Sequence, residues 1–87
     1  MQISQQVFVV TGACSGLGLA TSRALVARGA KVLMADINAD AGAALAQELG
    51  DVVRFVAVDI TDEAQAADAI SAALQAFGQL NGLINCA

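Results

Sequence analysis

Eighty-seven residues with a net charge of −4 bound the chain to one small domain. Its four cations, Arg23, Arg28, Lys31 and Arg54, are scattered, which excludes the clustered basic surface that nucleic acid or an anionic membrane needs. With no His there is no His-based proton transfer and no His metal site; Cys14 and Cys86 are too few for a disulfide framework and lack CxxC spacing.

The hydrophobic fraction of 57% is high for so short a chain. Strands buried on both faces, as in a parallel sheet, account for such an excess, and so does a piece of a larger core. No apolar run approaches the length of about 18 residues that a membrane span takes. Met1–Gln6 is polar and uncharged, unlike a signal or transit peptide, so a cytoplasmic location is expected.

The elements follow in order. Val7–Thr11 is a β-branched run that predicts a buried strand. A glycine loop leads into a helix over about Gly16–Arg28, with Leu17, Ala20, Ala24, Leu25 and Ala27 as its apolar face and Gly29 as its stop. Lys31–Asp36 predicts a second strand. Asn38 caps a helix over Ala39–Leu49, with Ala41, Leu45 and Leu49 on one stripe and Gly50 at its end. Val52–Asp59 predicts a third strand, and Arg54 within it suits a sheet edge. Thr61 is the expected cap of a last helix with Asp62 and Glu63 in its first turn. Ile70, Leu74 and Phe77 are its expected buried stripe and Gly78 its stop. Leu80–Asn85 predicts a fourth strand, weakened by Gly82.

Alternating strands and helices imply an α/β fold with parallel pairing and right-handed crossovers. The expected architecture is a Rossmann-type, doubly wound sheet of order 3-2-1-4. Ligands bind such sheets in the crevice at the carboxyl ends of the strands, between the first and fourth.

Both chemistry-bearing stretches fall on that crevice. In "VFVVTGACSGLG", Gly12 suits a tight turn, Gly16 lets a pyrophosphate approach the backbone, and Gly18 lets the helix pack against the strand. The helix N-terminus then faces the phosphates. The loop lacks the Gly-Lys-Ser/Thr of a Walker-type loop. The spacing is G-x-x-x-G-x-G; plain packing is the competing explanation, and the strand before and helix after favour a dinucleotide site. Asp36 ends the second strand, 18 residues after Gly18. A carboxylate there accepts both hydrogen bonds of a ribose diol and repels a 2′-phosphate, which points to NAD over NADP. Neither Ser15 nor Ile37 supplies a cation for that phosphate. A solvated strand end is the bland alternative for Asp36.

"TGACSGLG" resembles the Thr-Gly-x-x-x-Gly-x-Gly motif of the short-chain dehydrogenases/reductases, "VDIT" at 58–61 their adenine-holding segment, and "NCA" at 85–87 the start of their Asn-Asn-Ala-Gly motif. "SGLGLAT", "FG.L" and "NCA" are most similar to the type 2 3-hydroxyacyl-CoA dehydrogenases within that family. The resemblance implies that Thr11 braces the loop, with Gly12, Gly16 and Gly18 shaping it. Ser15 and Leu17 would touch the pyrophosphate and its ribose, and Asp36 the adenosine ribose. Asp59 and Ile60 would bracket the adenine, while Asn85, Cys86 and Ala87 would line a ribose through main-chain contacts. Helix capping is the alternative for Asp59, and structural roles are the alternatives for Thr11 and Asn85. Cys86 stands where the commoner motif has a second Asn.

Family members carry a catalytic Ser and a Tyr-x-x-x-Lys; this sequence has no Tyr, so no catalytic residue and no metal ligand is assigned to it. The expectation is that residues 1–87 are the NAD-binding half of a longer oxidoreductase. That protein would interconvert a secondary alcohol and a ketone, with the 3-hydroxyacyl-CoA class as the expected substrate, as a homo-oligomer of the family's tetrameric kind. A 3-oxoacyl-acyl-carrier-protein reductase-like member and a non-catalytic nucleotide-binding or interaction module are the alternatives. Cys14 and Cys86 are expected as reduced thiols on neighbouring loops, with a regulatory disulfide as the competing possibility.

Overall fold

A computed structural model describes residues 3–86. The chain runs β1 (Val7–Thr11), α1 (Gly16–Ala27), β2 (Lys31–Asp36), α2 (Ala39–Leu49), β3 (Val53–Ala57), α3 (Glu63–Phe77) and β4 (Gly82–Asn85). The four strands form one sheet of order β3-β2-β1-β4, and every pair is parallel. The expected doubly wound α/β architecture is therefore present, with β3 and its Arg54 at one edge. Among the described residues no helix is long and apolar enough to cross a membrane.

Period-two alternation sorts the strand side chains into two layers. Phe8, Val10, Val32 and Met34 point to one face, where Leu25 of α1 and Leu45 and Leu49 of α2 meet them. Val7, Val9, Leu33 and Ala35 point to the other, under Ala69 and Ala73 of α3. Covering both faces is what lets β1 be apolar and buried at all of its first four positions. At about 25 cal/mol per Å² of apolar surface removed from water, these central strands carry most of the hydrophobic stabilisation.

Two helices present a different face from the one their apolar residues suggest. In α1 the buried positions are Gly18, Ser22 and Leu25, while Leu17 is 69% exposed and Ala20, Ala24 and Ala27 lie outward. In α3 the sheet is met by Ala69 and Ala73, while Ile70 and Leu74 are exposed and only Phe77 of the expected stripe is half-buried. The cause is common to both. A helix that lies close to a strand puts its smallest side chains in the contact, and larger ones turn aside. The same rule acts at α2, where a Cβ on Gly42 would overlap the Phe55 ring of β3. Gly82, too, is no weakness: a Cβ there would come within 2.9 Å of the Phe8 ring, so the glycine lets β4 lie against β1.

The last helix is capped by Asp62, not Thr61. The Asp62 carboxylate accepts the N–H groups of Ala64 and Gln65, whereas the Thr61 hydroxyl turns back to Asp59. Strand β3 covers Val53–Ala57 of its expected run, and the pairing with β2 reaches one residue past each end: the Val52 carbonyl accepts the Val32 N–H at 2.9 Å and the Val58 N–H donates to the Asp36 carbonyl at 3.0 Å. Strand β4 begins at Gly82 because Leu80 and Asn81 stand before the ladder proper, Asn81 gripping Val7 through both its N–H and its side-chain oxygen.

Candidate functional site

The site is assembled at the carboxyl ends of the strands. Thr11 is buried as β1 ends, and Gly12 then turns with φ +60°, a conformation that disfavours any Cβ. Ser15 caps α1: its Oγ accepts the Gly18 N–H at 3.2 Å and donates to the Gly12 carbonyl at 2.6 Å. A Cβ on Gly18 would overlap the Gly12 carbonyl oxygen and sit 2.9 Å from Ala13 Cα. A Cβ on Gly16 would instead meet nothing within 4 Å. Gly18 is thus a packing glycine, whereas Gly16 stands at an open surface. The N–H groups of Gly16 and Leu17 open the first turn, where a helix offers no acceptor of its own. The helix dipole adds positive charge there, and the first turn of α1 holds no acid to offset it.

Strand β4 meets this loop from the other side. Thr11 Oγ1 donates to Asn85 Oδ1 at 2.7 Å, and the Cys86 N–H donates to the Thr11 carbonyl at 3.1 Å. Thr11 and Asn85 therefore brace each other across the ends of two strands. Ala87 lies outside the described residues. Cys14 and Cys86 are both free thiols and point apart: Cys14 Sγ approaches the Asn38 carbonyl and Cys86 Sγ the Thr21 hydroxyl, each at 4.0 Å. Burial first, and then the Asp36 charge, push the Cys14 thiol above its ordinary range.

A groove of about 240 Å³ runs between Asp36 and Asp59, floored by Gly12, Ala35 and Val58 and flanked by Ile37, Ile60 and Thr61. A second, shallower hollow on the other side of Asp36 is lined by Cys14, Ser15, Ile37 and Asn38. Asp36 accepts the Cys14 and Asn38 N–H groups, one on each oxygen, at 3.0 Å. Asp59 accepts the Thr61 hydroxyl at 2.6 Å and the Thr61 N–H at 3.0 Å, both on Oδ1, so Oδ2 is the acceptor left for a ligand. Those two bonds, the hydroxyl's first, hold the Asp59 carboxyl below the ordinary carboxylate range.

Gly12, Asp36, Asp59 and Ile60 thus converge on one groove, with Ser15 next to it and Leu17 exposed at the start of α1. Ile37, 74% exposed, and Thr61 also line the groove, although neither was singled out as a contact residue. Their signal was positional: each lies just beyond the end of a parallel strand, on the side where such sheets bind ligands.

A short chain dehydrogenase family model matches residues 6–87. The chain belongs to that family. The 3-hydroxyacyl-CoA dehydrogenase type-2 of Drosophila melanogaster is 45% identical over 85 residues, covering 98% of this chain and 33% of that protein. The 3-alpha-(or 20-beta)-hydroxysteroid dehydrogenase of Mycobacterium bovis is 44% identical over 80 residues, covering 92% of this chain and 31% of that protein. Among solved structures, the 3-ketoacyl-(acyl-carrier-protein) reductase of Brucella melitensis complexed with NADH superposes with a TM-score of 0.89 at 36% identity, covering 93% of this chain and 34% of its own. The chain spans about a third of the length of the relatives it matches.

Proposed function

We propose that residues 1–87 are the NAD-binding part of a longer short chain dehydrogenase that interconverts a secondary alcohol and a ketone. The observation that carries this reading is Asp36. Its carboxylate stands at the rim of the groove, next to a glycine-shaped helix N-terminus, with one acceptor position left on each oxygen. That arrangement suits the two hydroxyls of an adenosine ribose, and its charge disfavours a 2′-phosphate. In this reading the pyrophosphate lies over Gly16 and Leu17 beside Ser15. The adenine enters the groove between Asp59 and Ile60, with Asp59 Oδ2 accepting from its amino group. Asn85 and Cys86 follow β4 toward the second ribose, while Thr11, Gly12 and Gly18 hold the loop. The bound cofactor supplies the hydride chemistry; this chain supplies binding and orientation.

The substrate class we assign is 3-hydroxyacyl-CoA and its 3-oxo partner. It is supported by the similarity to the type-2 dehydrogenase of Drosophila melanogaster over 98% of the chain. The names of the relatives also include a hydroxysteroid dehydrogenase, which makes hydroxysteroids the second class to assay. Calorimetric titration with NAD and with NADP tests the cofactor. NAD is expected to bind about ten-fold or more tighter than NADP, a difference of about 1.4 kcal/mol. Equal affinities, or tighter NADP, would remove Asp36 from the ribose site. In the longer protein, NAD reduction driven by a 3-hydroxyacyl-CoA and not by a hydroxysteroid decides the substrate class.

A further inference from the structure

The glycine loop has one anchor that the ribose-binding role of Asp36 does not require. The main-chain pairing of β1 and β2 runs out just past the strands, where the Ala13 N–H reaches the Ala35 carbonyl at a long 3.3 Å. One residue further on, the Asp36 carboxylate takes over. Its Oδ2 accepts the N–H of Cys14, 22 positions away in sequence, and its Oδ1 accepts the N–H of Asn38, each at 3.0 Å. The Cys14 side chain adds little, since its sulfur lies 4.0 Å from the Asn38 carbonyl. A single charged side chain therefore ties the loop before α1 to the turn before α2.

We infer that Asp36 is a latch that holds the glycine loop in its ligand-ready shape before a cofactor arrives. Hydrogen bonds to an ionised acceptor are the strong kind, and both of these run to backbone groups that any residue other than proline would supply. The carboxylate has about four lone-pair positions, of which the latch uses two. The remaining two, one per oxygen, are those that the proposed ribose diol takes, so this part of the inference rests on the cofactor reading above. The latch itself does not. It makes Asp36 a positioning residue for the pyrophosphate loop as well as a contact to the ribose. Substitutions at Asp36 meant only to change cofactor preference then loosen the loop at the same time.

Residue-resolved amide hydrogen exchange on the ligand-free protein tests this, with Asp36→Ala, Asp36→Asn and Asp36→Glu. In Asp36→Ala, exchange at the Cys14 and Asn38 amides is expected to speed up by about ten-fold or more, while the Val9 and Leu33 ladder amides stay protected. Asp36→Asn, with one acceptor oxygen, should keep protection at only one of the two amides. Asp36→Glu keeps the charge but moves the carboxylate out by one methylene, and it should release at least one of them. Unchanged exchange at Cys14 in a folded Asp36→Ala protein overturns the latch. So does loss of ladder protection in all three variants, because the contact would then be a requirement of the whole fold. Exchange is read without ligand, so absence of NAD binding by the wild type would sink the cofactor reading and leave the latch standing.

Discussion

The β1–α1 turn and the β3–α3 turn open onto the same groove, yet they are held by different means. The first is fixed by backbone contact: Gly18 packs where any side chain would strike the main chain of Gly12 and Ala13, and Asp36 reaches in from β2 to bond Cys14. The second is fixed by side chains bonding within their own turn. Asp59 accepts twice from Thr61, two positions on, and Asp62 caps Ala64 and Gln65. Steric and long-range restraints make the first turn rigid and intolerant of change. Local bonds on an exposed surface make the second adjustable. A site built this way keeps a fixed cradle at the helix N-terminus and a tunable wall opposite it.

The sharpest way to break the contrast is to put the same methyl group on two glycines of α1. In Gly18→Ala the new Cβ overlaps the Gly12 carbonyl oxygen and lies 2.7 Å from its carbon, and no rotation relieves backbone against backbone. Urea unfolding should show a loss of about 3 kcal/mol, at the upper end of overpacking costs. In Gly16→Ala the Cβ meets nothing within 4 Å, so stability should hold or rise by about 0.5–1 kcal/mol. NAD affinity should nonetheless fall, because the methyl occupies the proposed path of the pyrophosphate. Equal stability losses in the two variants would end the distinction between a packing and a binding glycine.

A smaller effect is expected one turn along. Ser22 is fully buried between α1 and the sheet, and its hydroxyl has no hydrogen-bond partner among the described residues. What the position needs is small size. Ser22→Ala removes a buried unsatisfied group and should stabilise the protein by about 1 kcal/mol in the same unfolding measurement. A loss of that size would mean that the hydroxyl bonds within the helix, and that the close approach of α1 rests on more than volume.

The same contrast marks what could be read in the sequence. Glycines, β-branched runs and strand-end acids named every element and the strand order, because each depends on local chemistry or on the parallel rule. The helix faces were not legible in that way. Ala-rich α1 is apolar round most of its circumference and α3 has a broad apolar half that holds Ala69, Ile70, Ala73 and Leu74 alike, so hydropathy could not tell Ser22 from Ala24, or Ala73 from Leu74. Close packing against the sheet made that choice. The cap of α3 was misplaced by one residue because Thr61 and Asp62 are both good caps, and only the pull of Asp59 on the Thr61 hydroxyl decides between them. At the site, the spacing of Asp36 to Gly18 made it legible as the candidate for the proposed ribose contact. Its bond to Cys14 was not, since nothing local in either segment announces a contact across 22 positions.

The smallest expected effect tests the adjustable turn. The hydroxyl and N–H of Thr61 favour the ionised form of Asp59 and lower its pKa from an ordinary 3.8. A carboxyl whose folded pKa is depressed contributes stability above its unfolded value, and that contribution is lost as pH falls through the folded one. The window therefore lies below about pH 4. Thr61→Val removes the hydroxyl bond and leaves the N–H bond, so the Asp59 midpoint should rise part of the way back, as followed by carboxyl carbon chemical shifts. Wild-type and variant stabilities should differ slightly near neutrality and converge as the acid limb is reached. The groove wall should hold its shape throughout, because Asp62, not Thr61, carries the α3 cap. An unmoved midpoint would show that the backbone N–H alone sets the charge on Asp59. A collapse of α3 would show that this turn is as unforgiving as the glycine loop across the groove.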